Sequence, residues 1–192
     1  MTVRSAAFRV AAVFMTMLMT APLASWAQKA SPADQRKALH SEVEAAIARV
    51  KKTDPGLDKF FTDSAGYVVF PRAGKGGFIF VGGHGDGELF EKGKVTGTAS
   101  LSLGTVGLSI GGQQFTQVIF FQNAQALNRF KQNKFEFTAG VSAVIVKEGA
   151  AVAGQYTDGV AVFVQPVKGA MAEASVGAQK FNFKPDGGTA RK

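Results

Sequence analysis

Gly66-Tyr67-Val68-Val69-Phe70-Pro71, followed closely by Lys75-Gly76-Gly77-Phe78, opens the part of this 192-residue chain that decides its fold. A β-branched and aromatic run bounded by glycine and proline reads as a strand. Working outward, runs of the same kind predict strands over 66–70, 77–81, 87–92, 95–103, 105–110 and 114–121. Residues 82–87, four of them glycine, read as a loop or wide turn, and Lys92-Gly93-Lys94 as a tight hairpin turn. Arg72 and Lys75 then fall in a loop between two strands. One helix interrupts at 123–131, with Asn123 as its cap and Ala126, Leu127 and Phe130 turned inward. Further strands are expected at 134–146, 154–156, 160–164, 170–176 and 179–183.

Before Gly66 the period is helical. Leu39, Val43, Ile47 and Val50 recur every three or four residues, with Arg36, Lys37, Glu42, Glu44, Arg49 and Lys51 on the other face. This helix starts near Asp34, capped by Ser31 or Asp34. Asp54-Pro55 opens a short second helix that carries Leu57, Phe60 and Phe61 inward. The 23 glycines are spread through the strands instead of gathered in a linker, which suggests bent or bulged strands. The fold class expected is α+β: a curved, mostly antiparallel glycine-rich sheet, open to closure toward a barrel, with an N-terminal amphipathic helix and a short mid-chain helix.

Residues 1–27 read as a signal peptide: Arg4 and Arg9 give a positive start, an apolar stretch runs from Val10 to Leu23, and Ser25-Trp26-Ala27 supplies small residues for cleavage. Residues 28–33 read as a flexible leader, 34–184 as one domain and 185–192 as a disordered tail. The expected product is exported, periplasmic or secreted, and peripheral to a membrane. No cysteine is present, which excludes disulfides, thiol nucleophiles and cysteine-ligated zinc. Cleavage removes Arg4 and Arg9, so 22 basic residues become 20 against 14 acids and the net charge goes from +8 to +6. A basic surface attracts phosphate, and export turns the expectation from nucleic acid toward anionic phospholipid.

Enzyme signatures are missing. The glycines between Lys75 and Gly87 are followed by strand pattern, where a dinucleotide loop needs a helix, and no Walker or Gly-x-Ser-x-Gly motif occurs. His84, Asp86 and Glu88 alternate, as metal ligands on an extended chain would, but the glycines around them favour a solvated turn. No catalytic residue, cofactor or metal is expected. The basic side chains remain as candidate lipid contacts: Arg36, Lys37, Arg49, Lys51 and Lys52 on or just after the first helix, with Arg72 and Lys75 beside Phe70 and Phe78 as the strongest pair.

The two motifs that open the strand region, taken with Ser109-Ile110-Gly111-Gly112-Gln113, Val118-Ile119-Phe120-Phe121 and Ala126-Leu127, resemble the SYLF domain. The resemblance covers about 66–168, and 34–61 more loosely. It implies a non-enzymatic module that binds anionic lipid through a basic surface and an amphipathic front helix. Of the basic positions only Lys75 sits within a family motif; the others are assigned from local chemistry. Glu42 and Glu44 dilute the charge of the front helix, and a bacterial envelope offers phosphatidylglycerol or cardiolipin in place of phosphoinositides. The alternative reading is an envelope interaction protein whose sheet edge receives a protein partner.

Overall fold

The computed structural model describes residues 31–75, 82–104, 113–137, 141–168 and 179–187. Helix α1, Pro32–Thr53, is capped by Ser31, whose hydroxyl accepts the Asp34 N–H. A 3-10 turn, Pro55–Leu57, and helix α2, Asp58–Asp63, follow. The strands are β1 Gly66–Lys75, β2 Gly82–Glu91, β3 Lys94–Gly104, β4 Gln113–Phe121, β5 Ala143–Ile145, β6 Val160–Lys168 and β7 Gln179–Pro185. Helix α3, Ala124–Lys131, lies between β4 and β5, and the single turn α4, Ala150–Ala153, between β5 and β6. The seven strands form one open sheet in the order β5-β6-β4-β1-β2-β3-β7, antiparallel except for the β5–β6 pair. The fold is α+β, as expected.

The sheet curls strongly. Gln117 on β4 and Gln179 on β7 are four strand positions apart, about 19 Å on a flat sheet. Yet Gln117 Nε2 donates to Gln179 Oε1 at 2.8 Å, and both side chains are buried. Only a sheet bent around its inner face brings them together. That concave face packs Phe70, Leu101, Phe115, Ile119 and Phe121 against Phe181 and Phe183, and α3 closes it with Leu127 and Phe130. Asn123 caps α3 by accepting the Ala126 N–H, as the sequence predicts. Gly87 shows why glycine is needed on the curl: a Cβ there would lie 2.3 Å from the Val69 carbonyl oxygen.

The outer face carries a second core. Val43, Ala46 and Val50 of α1, with Leu57 and Phe60, pack on Tyr67, Val69, Val118, Phe120 and Phe163. Burial pushes the Tyr67 hydroxyl up, and pushes that of Tyr156 to about 12 with the Asp63 charge adding, so both stay neutral. α1 crosses this face obliquely, and its polar side chains touch the strands in spatial order. Arg36 pairs with Asp186 just past β7, His40 with Glu88 on β2, and Glu42 with Arg72 on β1. Farther along, Arg49 donates to Thr116 on β4 at 3.2 Å, and Thr53 accepts from Gln165 on β6 at 2.8 Å.

Several sequence expectations need correction. α1 starts at Pro32, inside the expected leader. Residues 82–87 are strand, not loop: Gly82 to Gly87 pair with Gly104 to Ala99 of β3, and glycine serves the close approach of the curled sheet. Among the described residues of the expected 134–146 strand only Ala143–Ile145 are strand; Phe135 and Phe137 instead pack into the concave core. Residues 154–156 are irregular and follow a helical turn that sequence reasoning missed. Pro185 belongs to β7 and not to a disordered tail. The expected signal peptide, the strands at 77–81, 105–110 and 170–176, and residues 188–192 lie outside the described residues.

Candidate functional site

Arg72 reaches the outer face through a bulge. β1 is the central strand, and Pro71 within it has no N–H for the ladder; the register shifts against both neighbours between Val69 and Gly74. Phe70 and Ala73, three residues apart, both face the concave core, so the bulge turns Arg72 toward α1. Its Nε donates to Glu42 Oε2 at 3.0 Å, and its Nη2 donates to Glu42 Oε1. Arg72 is therefore a strand residue with a helix partner, not a loop cation. Phe70 beside it is fully buried and offers no ring to a membrane. Lys75 ends β1, and Phe78 lies outside the described residues.

The other candidate cations divide among three places. Arg36 joins Arg72 and Lys184 around a groove of about 830 Å³ between the front of α1 and the outer face of β1, β2, β3 and β7. Thr98, Ser100 and Asn182 form its floor. Lys37 and Lys52 are exposed, and no partner stands against either among the described residues. They share the outward ridge of α1, about 22 Å apart along the axis and about 60° around it. Arg49 and Lys51 point to opposite flanks, Arg49 to Thr116 and Lys51 to Asp58 at 2.7 Å and over the Phe61 ring at 4.7 Å. Hence the structure gathers Arg36 with Arg72, sets Lys37 and Lys52 on one ridge, and spreads the rest.

The pairs that hold these cations are weak. Arg36 and Asp186 are 54% and 37% exposed, and Arg72 and Glu42 are 57% and 39%. Such surface pairs contribute roughly 0.2–1 kcal/mol, so another anion competes for the guanidinium at small cost. The described aromatic rings pack in the two cores, and the exposed large apolar side chains among the described residues are Val152 and Val167.

His84, Asp86 and Glu88 do share one face, because β2 extends through them. His84 meets Asp86 at 3.2 Å, whereas Glu88 is buried and meets His40 of α1 at 2.8 Å. Among the described residues no group of three or more His, Asp or Glu side chains is placed to hold a metal. Sequence reasoning missed the His40–Glu88 contact, which spans 48 residues; its one trace is that His40 sits one position past Leu39, at the border of the apolar stripe.

Among the described residues the sheet edges give an incoming strand few free groups. The outward N–H of Phe183 on β7 is taken by Asn133 Oδ1 at 2.6 Å, and Pro185, facing the same way, has none. β5, at the other edge, is three residues long. Among the described residues no helix is long and apolar enough to cross a membrane.

These features define an α+β protein with an open curled sheet and a cationic helix across its outer face. No family model matches the chain. It is similar to Beta cell expansion factor A of Aeromonas veronii, 26% identical over 155 residues that make up 80% of this chain and 59% of that protein. The chain thus spans about three-fifths of the relative's length.

Proposed function

We propose that the protein is a non-enzymatic module of the SYLF type, exported, that docks on anionic phospholipid surfaces with the α1 side of its sheet. The observation that carries this reading is the common side of the cations: Lys37 and Lys52 without partners on the outward ridge, and Arg36 and Arg72 beside the same helix in pairs that an anionic headgroup displaces cheaply. The sequence motifs support the family, and the distant likeness to Beta cell expansion factor A is compatible with it.

Magnitude sets the mode of docking. One basic side chain near an anionic bilayer contributes roughly 1 kcal/mol, so four give about 4, an affinity of only ~1 mM. An apolar side chain fully buried in the bilayer adds ~1.5–3 kcal/mol, and micromolar binding needs one or two of them. The described rings are committed to the cores, and the large apolar side chains left exposed among the described residues are Val152 and Val167.

Co-sedimentation with vesicles of neutral lipid, with and without phosphatidylglycerol or cardiolipin, tests the proposal. Binding is expected to need the anionic lipid, to weaken with salt, and to drop about 30-fold in Lys37→Ala/Lys52→Ala, the ~2 kcal/mol of two cations. Equal binding to neutral vesicles overturns the electrostatic role, and no binding to any vesicle overturns the function.

A further inference from the structure

The front and back of α1 are held by different forces. Val43, Ala46 and Val50 are fully buried, whereas every residue from Pro32 to Ala38 is exposed and Leu39 and His40 are half-buried. The front is fastened by half-buried Leu39 at the edge of the outer core and by polar contacts that include Arg36 to Asp186, His40 to Glu88 and Arg72 to Glu42. Beneath it lies the groove, floored by Thr98, Ser100 and Asn182 where the back half has rings and aliphatic side chains. Of these three ion pairs only one includes a buried charge, Glu88, and its partner is a histidine.

We propose that residues 32–42 form a detachable strap over this groove, and that the His40–Glu88 contact is its proton-controlled fastening. The ring stands between two carboxylates: Nδ1 is 2.8 Å from Glu88 and Nε2 is 3.4 Å from Glu44. A protonated imidazole donates from both nitrogens and serves both carboxylates; a neutral one keeps a single N–H and serves one. Loss of the proton therefore weakens the one bond that, among the described residues, compensates buried Glu88. The other charges facing this point are the Arg72–Glu42 pair from β1 and α1, the Arg36–Asp186 pair beyond β7, and the His84–Asp86 pair farther along β2.

The direction of the switch follows from the same contacts. The hydrogen bond with Glu88 raises the His40 pKa above its ordinary 6.5, burial opposes this, and the charges of Glu88 and Glu44 add to the rise. A raised value in the folded state means the fastening is complete below 6.5 and is lost as pH climbs through the elevated value. Release unties Arg36 from Asp186 and Arg72 from Glu42, and exposes the groove floor. The strap deepens the membrane reading by regulating that same surface, but its test contains no lipid, so failure of one is separable from failure of the other.

Hydrogen exchange of the whole chain, corrected for the intrinsic rate at each pH, is compared between about pH 5.5 and about pH 8, with NMR titration of the His40 ring alongside. Protection of amides 36–42 is expected to fall about tenfold, the size of one charge-assisted hydrogen bond, with the midpoint of the His40 titration. Amides 43–53 should hold. Glu88→Gln should lower the His40 midpoint and abolish the pH dependence. His40→Gln, at a half-exposed helical position, should leave the front weakly protected at both pH values whether or not the Glu88 variant folds. Parallel loss along all of α1, no loss in the front, or an undiminished response in either variant overturns the proposal.

Discussion

Asp54→Ala should destabilise the domain far more than an ordinary helix-end substitution. The carboxylate is 5% exposed and joins two distant parts of the chain: Oδ1 accepts the Gly56 N–H at 3.0 Å, and Oδ2 accepts the Ala151 N–H at 2.6 Å, 97 residues away. Gly56 is exposed, so water replaces the first bond and the loss is that of a helix cap, about 1 kcal/mol. Ala151 is half-buried against the same turn, and losing a bond to a charged acceptor there costs about 1.5–3 kcal/mol. The sum, about 2.5–4 kcal/mol, corresponds to a Tm lower by roughly 5–15 °C for a domain of this size. Urea denaturation gives the free energy and a thermal scan the shift. Asp54→Asn should fall between, because its amide keeps one acceptor and turns a donor toward the other N–H. A loss below about 1 kcal/mol for alanine, or an asparagine variant as stable as the parent, would refute the two-ended role of this carboxylate.

Two further substitutions probe the curl of the sheet. Gly87→Ala places a Cβ 2.3 Å from the Val69 carbonyl oxygen and 2.7 Å from the Phe70 ring, so it should cost at least the ~3 kcal/mol at the top of the overpacking range. Gly93→Ala, with φ of 73° and nothing within 4 Å, should cost only the ~1–2 kcal/mol of a left-handed residue; equal losses in chemical denaturation would remove the steric argument. Gln117→Leu alone should cost about 1–3 kcal/mol by stranding the buried Gln179 amide, and adding Gln179→Leu should recover most of it. A double-mutant cycle with no coupling would mean the two glutamines do not meet and that the sheet is flatter than described.

What the sequence disclosed was what local pattern controls. Asn123 as a cap followed by Ala126, Leu127 and Phe130, the Lys92-Gly93 turn with both residues at positive φ, and the 3.6-residue stripe through Val43 and Val50 all reappear in the structure. The glycine cluster at 82–87 was misread because the same residue marks turns and close strand approach, and only the facing Val69 carbonyl separates the two. Arg72 was misplaced for a related reason. Pro71 looks like a strand terminator, while a bulge lets β1 continue to Lys75 and re-aims the arginine. The site was legible as a set of cations but not as a geometry. Which of them have acid partners depends on contacts such as Arg36–Asp186, 150 residues apart, that no periodicity encodes.

The division of α1 into an apolar back and an ionic front bears on how a membrane would meet this protein. A helix held throughout by buried Val and Ala would have to give up several kcal/mol of core to reorient, and its cations could act only from where they stand. Here the cost is confined. Freeing residues 32–42 breaks two exposed ion pairs, each under about 1 kcal/mol, and one bond to Glu88 that deprotonation already weakens, and it lifts half-buried Leu39 off the edge of the outer core. The back half, buried on β1, β4 and β6, keeps the domain folded while the front moves. Anionic headgroups would then oppose the strap by competing for Arg36 and Arg72, while raising the proton concentration near the surface, which favours the fastened form. The two effects have opposite signs, so the net response to an anionic surface depends on bulk pH: above the His40 midpoint headgroup competition should dominate, and below it the fastening should.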